Sequence, residues 1–134
     1  MPGENVLPVQ YYPDDFRVIN YFIHDGSAAD ELLFYCDRNM VIDSVTVSVA
    51  VVGAASSTVT IKAVAPGTVP SPANIAAGTA VTSAIALDAT GAIAGTIVNT
   101  ANSLPTGTHL GLDYTGTVSA LRGMVTLRIR SRLK

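Results

Sequence analysis

The chain has no tryptophan, a single cysteine, and charge on only 13% of its 134 residues, about half the ~25% of an ordinary soluble domain. Each shortage excludes something. With Cys36 alone, no intrachain disulfide exists. The Cys-Trp-Cys core of antibody-type domains is absent, although immunoglobulin-like sandwiches without it are common. No run approaches the ~18 uninterrupted apolar residues of a membrane-spanning helix. The opening Met1-Pro2-Gly3-Glu4 has neither the basic nor the apolar region of a secretory signal. Synthesis in a cytoplasm is expected, with no membrane partner.

Reaction chemistry is equally thin. There is no Gly-x-Ser-x-Gly elbow, P-loop, dinucleotide fingerprint, His-Glu-x-x-His or EF-hand pattern. His24 and His109 have no nucleophile context and read as strand-end histidines at the surface. Cys36 reads as a small buried hydrophobe, since a reactive thiol needs a pKa-lowering setting. Asp14-Asp15 supplies too few oxygens for calcium and reads as a solvated turn after Pro13 or a salt-bridge partner for a neighbour's arginines. No catalytic residue, metal or cofactor is expected, and the chain is not expected to be an enzyme.

What is present is unevenly distributed. Seven of the eight aromatic residues (Tyr11, Tyr12, Phe16, Tyr21, Phe22, Phe34 and Tyr35) precede position 36, and only Tyr114 follows. Large aromatics dominate contact energetics, each burying roughly 150–250 Å². Residues 63–121 carry just two charges, Asp88 and Asp113. A free surface normally keeps its water with charge, so a flank this poor in charge is expected to be covered by neighbouring subunits. Residues 1–43 hold eight acids against Arg17 and Arg38, a net −6; residues 44–134 hold two acids against six cations, a net +4. Opposite poles favour head-to-tail or ring contacts between identical subunits.

Pro2, Pro8 and Pro13 interrupt residues 1–16, and proline fixes φ and removes a ladder donor. This stretch reads as an extended N-terminal arm reaching roughly 50 Å, followed by one β domain over 17–134. Val18 to His24 and Glu31 to Cys36 flank Asp25-Gly26-Ser27 like the arms of a hairpin. Val45, Val47, Val49 and Val51 alternate with polar or small residues, as do Val59, Ile61 and Ala63, the period of a strand with one buried face. Residues 65–79 read as a long loop. Further strands are expected near 80–87, 95–100, 109–115 and 123–130, with irregularly spaced Gly-Thr steps marking turns. About eight short strands without a convincing helix predict an all-β antiparallel sandwich, and eight is the jelly-roll count.

The most concentrated charge lies at the end of the chain. On a strand, Arg128, Arg130, Arg132 and Lys134 would share one face opposite Ile129 and Leu133. The protein is slightly acidic overall and its aromatics lie at the other end, so an acidic protein surface, or protection of an edge strand, is expected ahead of nucleic acid.

The segments Asn99-Thr100, Leu110-Gly111-Leu112-Asp113-Tyr114-Thr115-Gly116-Thr117, Ala120-Leu121-Arg122-Gly123 and Met124-Val125-Thr126-Leu127 resemble a pattern of small virion proteins of tailed bacteriophages. Capsid decoration, or cement, proteins with a jelly-roll body are the particular likeness, and it spans roughly residues 37–130. The resemblance implies a structural protein of the virion that sits on the outer capsid surface as a homotrimer and bridges major capsid protein subunits. It also leaves open a receptor- or glycan-binding module of a head fibre or tail, for which Tyr114 would be the aromatic platform. The aromatic acidic front and the basic end lie outside the pattern. On the residues themselves, Tyr11, Tyr12 and Phe16 are the expected anchors against capsid or neighbouring subunits, with Arg128, Arg130 and Arg132 as electrostatic contacts.

Overall fold

The computed structural model describes residues 16–23 and 30–132. Among the described residues, ten strands run β1 (Phe16–Ile23), β2 (Glu31–Tyr35), β3 (Met40–Val51), β4 (Thr58–Val64), β5 (Thr79–Ala80), β6 (Ile85–Ala86), β7 (Gly91–Ala94), β8 (Ser103–Leu104), β9 (His109–Thr115) and β10 (Arg122–Ser131), with one short helix, α1 (Pro72–Ala76), between β4 and β5. They form two antiparallel sheets. Sheet A has the order β1-β10-β3-β7, with β8 also on β3; sheet B has the order β2-β9-β4-β5, with β6 also on β4.

The pairing is nested. β1 pairs with β10, β2 with β9, β3 with β7, and β4 with the interrupted strand β5/β6. The chain is thus one antiparallel ribbon, first half against second half, wrapped so that β1 to β4 fall in alternate sheets and the return half is laid down beside them. That is the jelly roll, which leaves each sheet short and its edges few. The core lies between the sheets: Ile42, Val45, Val47, Val125, Leu127 and Ile129 from sheet A meet Val59, Ile61, Leu110 and Leu112 from sheet B, all 0–1% exposed. Each such side chain contributes about 1.5–3 kcal/mol of burial.

Several expectations are corrected by this topology. β1 and β2 do not form a hairpin: they belong to different sheets, because a strand leaving sheet A must cross the core edge to reach its partner in sheet B. The strand expected at 95–100 lies instead at 91–94, and Ile97 makes only an isolated bridge to Thr82. The strand expected at 80–87 divides into two two-residue pairings. β8 was not expected at all. β3 starts five residues before Val45, because an extra residue, Asp43, breaks the period of two between Ile42 and Ser44 and marks a β-bulge against β10.

The loop expected at 65–79 contains α1, nucleated by local capping. Ser71 is the N-cap, its Oγ accepting from the Asn74 backbone N–H at 3.3 Å, and Pro72 occupies the first helical turn, where its missing donor costs nothing. The helix lies on the outer face of sheet B. Its buried Ile75 sits over Gly111, where a Cβ would come within 2.7–3.0 Å of three Ile75 side-chain atoms. The glycine in Leu110-Gly111-Leu112 is thereby explained: the flanking leucines fill the core while the position between them must stay empty for the helix.

Candidate adhesive surface

β1 alternates cleanly. Arg17, Ile19, Tyr21 and Ile23 turn inward and Phe16, Val18, Asn20 and Phe22 turn outward. Both sets contain large apolar residues, so the outward set is left in water: Phe16 is 52% exposed, Val18 61% and Phe22 68%. Opposite them on β10 stand Met124 (facing Phe22), Thr126 (Asn20), Arg128 (Val18) and Arg130 (Phe16). Thr126 donates its hydroxyl proton to Asn20 Oδ1 at 2.9 Å, tying the two strands across this face.

The three arginines expected as contacts are all placed around this face, each with a local partner. The Arg128 guanidinium lies 4.4 Å from the centre of the Phe16 ring, a cation–π contact worth about 0.5–1 kcal/mol at an exposed site. Arg130 Nε donates to both carboxylate oxygens of Asp43, at 3.0 and 3.2 Å; the β-bulge is what delivers that carboxylate. Arg132 lies just past the end of β10 and is exposed; its Nη1 donates to Ser103 Oγ at 2.5 Å and its backbone N–H to Asn39 O at 2.8 Å. The uniform basic stripe therefore becomes three separately anchored cations. Phe16, expected as the last residue of the arm, is the first residue of β1. Tyr11, Tyr12 and Lys134 lie outside the described residues, as do Asp14, Asp15 and His24.

The two outer faces of the sandwich differ. Sheet B carries α1 and a polar brace in which Lys62 Nζ reaches Asp113 Oδ2 at 3.1 Å and Ala76 O at 2.8 Å. At its edge, the exposed Tyr35 ring packs against His109, with ring centres 4.8 Å apart and planes at 47°. Sheet A's outer face has no covering element among the described residues. Beyond the Phe16–Phe22 row, a groove of about 540 Å³ crosses all four strands, lined by Phe22, Met124, Ser48 and Ala92 with Ala50 and Arg122 beside them. A contiguous apolar patch rimmed by cations is the form an interaction surface takes.

Behind the row, the two sheets are bolted together by a polar cluster. Glu31 at the start of β2 accepts from both the Tyr21 hydroxyl, through Oε1, and the Tyr114 hydroxyl, through Oε2 at 2.9 Å. Tyr21 belongs to sheet A and Tyr114 to sheet B, so one carboxylate joins both layers. Asp30 Oδ1 accepts the Tyr114 backbone N–H at 3.1 Å, and burial followed by the neighbouring Asp113 charge raises the Asp30 carboxyl above the usual range. Tyr114, the one aromatic in the second half of the chain, is only 8% exposed and turned to the core.

Burial, then hydrogen bonding to Glu31 and its negative charge, push the Tyr21 phenol up to about 12, and the same causes raise Tyr114. The folded state holds these protons more tightly than the unfolded chain, whose tyrosines titrate near 10. Their contribution to stability is complete below pH ~10 and is lost as pH rises through about 12. Urea midpoints measured from pH 9 to 12 will fall across that window, and Tyr21→Phe will flatten the fall. A variant whose profile matches the parent contradicts the assignment.

Cys36 is 0% exposed, and burial with the adjacent Asp37 charge pushes its thiol up to about 12, away from the thiolate. His109, expected at the surface, is instead half-buried beneath Tyr35, and its buried Nδ1 has no hydrogen-bond partner among the described residues. No group of three or more acidic, histidine or cysteine side chains among the described residues converges as a metal site, and no described helix is long and apolar enough to cross a membrane.

Phe16 and the three arginines were expected as contacts and Phe22 was counted among the large aromatics, whereas Val18 and Met124, which share the outer face of sheet A, were not singled out. Their signal was the apolar character of both faces of Phe16–Ile23, which a strand with one wet side does not need. Comparison of the chain with protein-family models, with curated proteins and with solved structures finds no match.

Proposed function

We propose that the chain is a structural virion protein that binds the outer surface of a tailed-phage capsid as a homotrimer and stabilises it by bridging major capsid protein subunits. The observation that carries this reading is the outer face of sheet A, uncovered among the described residues, where Phe16, Val18 and Phe22 stand 52–68% exposed beside Arg128. The likeness of residues 110–117 and 120–127 to a virion pattern supports it. A rigid sandwich whose described residues cover one face with a helix and leave the other open suits adhesion. Several copies engaging one shell together turn modest contacts into avidity gains of roughly 10²- to 10⁴-fold. Such bridging opposes outward pressure on the capsid wall without any reaction being catalysed. The glycan-binding alternative loses its platform, since the Tyr114 ring is buried and its hydroxyl is engaged by Glu31.

The arm gives a direct test. Deletion of residues 2–15, which stops short of β1, is expected to leave a folded sandwich that co-sediments poorly with expanded capsids of the encoding phage. Undiminished decoration by the truncated chain removes the arm from the mechanism.

A further inference from the structure

The groove on sheet A has a form that the row on β1 does not. One rung of side chains crosses the sheet there: Phe22 on β1 faces Met124 on β10, which faces Ser48 on β3, which faces Ala92 on β7. Size falls steadily along that rung, so Phe22 and Met124 make a wall and Ser48 and Ala92 a floor. Gly123 and Gly91 flank the floor without adding side chains, and Arg122 stands beside it as the only charged residue in the lining.

We infer that this groove receives the N-terminal segment, residues 1–15, of a second copy of the chain. Three observations select that occupant. The segment offers Val6, Leu7, Val9, Tyr11 and Tyr12 to an apolar trough, and its three prolines favour an extended form. Its charged side chains are Glu4, Asp14 and Asp15, with no lysine or arginine; the face it would cross presents Arg122 and Arg128. Its length is ample, since fifteen extended residues reach roughly 50 Å and four strands span roughly 15 Å at their usual spacing. The point of attachment favours a neighbour. The segment joins the body at Phe16, six residues from Phe22 along β1, about 20 Å away. To fill its own groove it must reverse at Phe16 and run back along its own strand; a neighbour's segment enters without reversal. An exchange of this kind repeats head to tail and closes as a ring. The inference rests on the self-association in the proposed function and supplies its contact.

The test uses full-length protein. Chain carrying Gln10→Cys, spin-labelled on that thiol, is mixed with isotope-labelled chain bearing no spin label; the fully buried Cys36 takes none. The expected result is loss of the Met124 methyl and Ala92 amide signals in the isotope-labelled copies, recovered on reducing the nitroxide. Ala92→Glu in the isotope-labelled chain, at an exposed position, should abolish the loss while the remaining amide spectrum stays that of the folded protein. Signal loss only when both labels share one chain means the segment folds back on its own body, and overturns the inference. An oligomer with no loss in either arrangement overturns it while leaving the trimer standing. A chain that sediments as a monomer at the same concentration contradicts both.

Discussion

Glu31→Ala will destabilise the fold by about 1–3 kcal/mol, the cost of stranding the buried Tyr114 hydroxyl. The Tyr21 and Tyr114 hydroxyls both donate to this one carboxylate, and Tyr114 at 8% exposure has little water to turn to. The loss is larger than the value of either hydrogen bond taken singly, because a made bond only replaces one to water whereas a stranded donor forfeits it. Glu31→Gln retains an acceptor oxygen and should cost substantially less. Urea denaturation of the two variants beside the parent reads the difference. An alanine variant within about 0.5 kcal/mol of the parent, the range of an unremarkable surface change, contradicts the bridging role.

Val18→Asp combined with Phe22→Asp should act in the opposite domain, on assembly and not on folding. Both side chains point away from the core, so the denaturation midpoint should move little. Two carboxylates placed in an apolar contact must be desolvated without a partner, and the penalty multiplies over every copy that engages the shell. Decoration of capsids, followed by co-sedimentation, is expected to fall by about 10²-fold or more. A variant that is equally well folded and equally well bound removes sheet A from the interface.

The legible parts of the fold are those governed by period. Val45 to Val49, Val59 and Ile61, and the leucines of Leu110-Gly111-Leu112 all alternate, and the structure places them as strands with those residues inward, whereas Val51, expected on the same buried face, ends β3 at 47% exposure and Ala63 is only partly buried. Partnership was not legible. The turn-like Asp25-Gly26-Ser27 between two β runs suggests a hairpin, yet β1 and β2 fall in opposite sheets, and that choice is made by the whole ribbon and not by a local turn. Where pairing shrinks to two residues, as in β5, β6 and β8, no periodic signal exists to read. α1 has too few residues for a helical face. Among the Gly-Thr steps, Gly67, Gly107 and Gly116 do sit at turns with φ of +85°, +95° and +85°. Gly78 and Gly95 serve a different purpose: a Cβ on either would meet Ala63 O at 2.6 Å or Ile85 Cδ1 at 2.8 Å.

The exposed apolar face of sheet A was half legible for a related reason. Phe16 stood out as an aromatic near a proline-rich segment, and the arginines as a run of charge, because both are features of composition. That Val18 and Phe22 face water depends on β1 being at the edge of sheet A, with β10 its one described neighbour, which alternation alone does not disclose. The basic stripe looked uniform in sequence. Its three arginines instead have separate anchors, Phe16, Asp43 and Ser103, each placed by a neighbouring strand or bulge far away in the chain.

The central claim is that the outer face of sheet A sits against another protein surface while the α1 side of sheet B faces outward. A density map of the intact particle tests it most directly. The account expects this jelly roll on the capsid exterior, with Phe16, Val18 and Phe22 buried in contact and α1 toward solvent. A map in which the domain is absent from the shell, or stands on it with sheet A open to water, contradicts it.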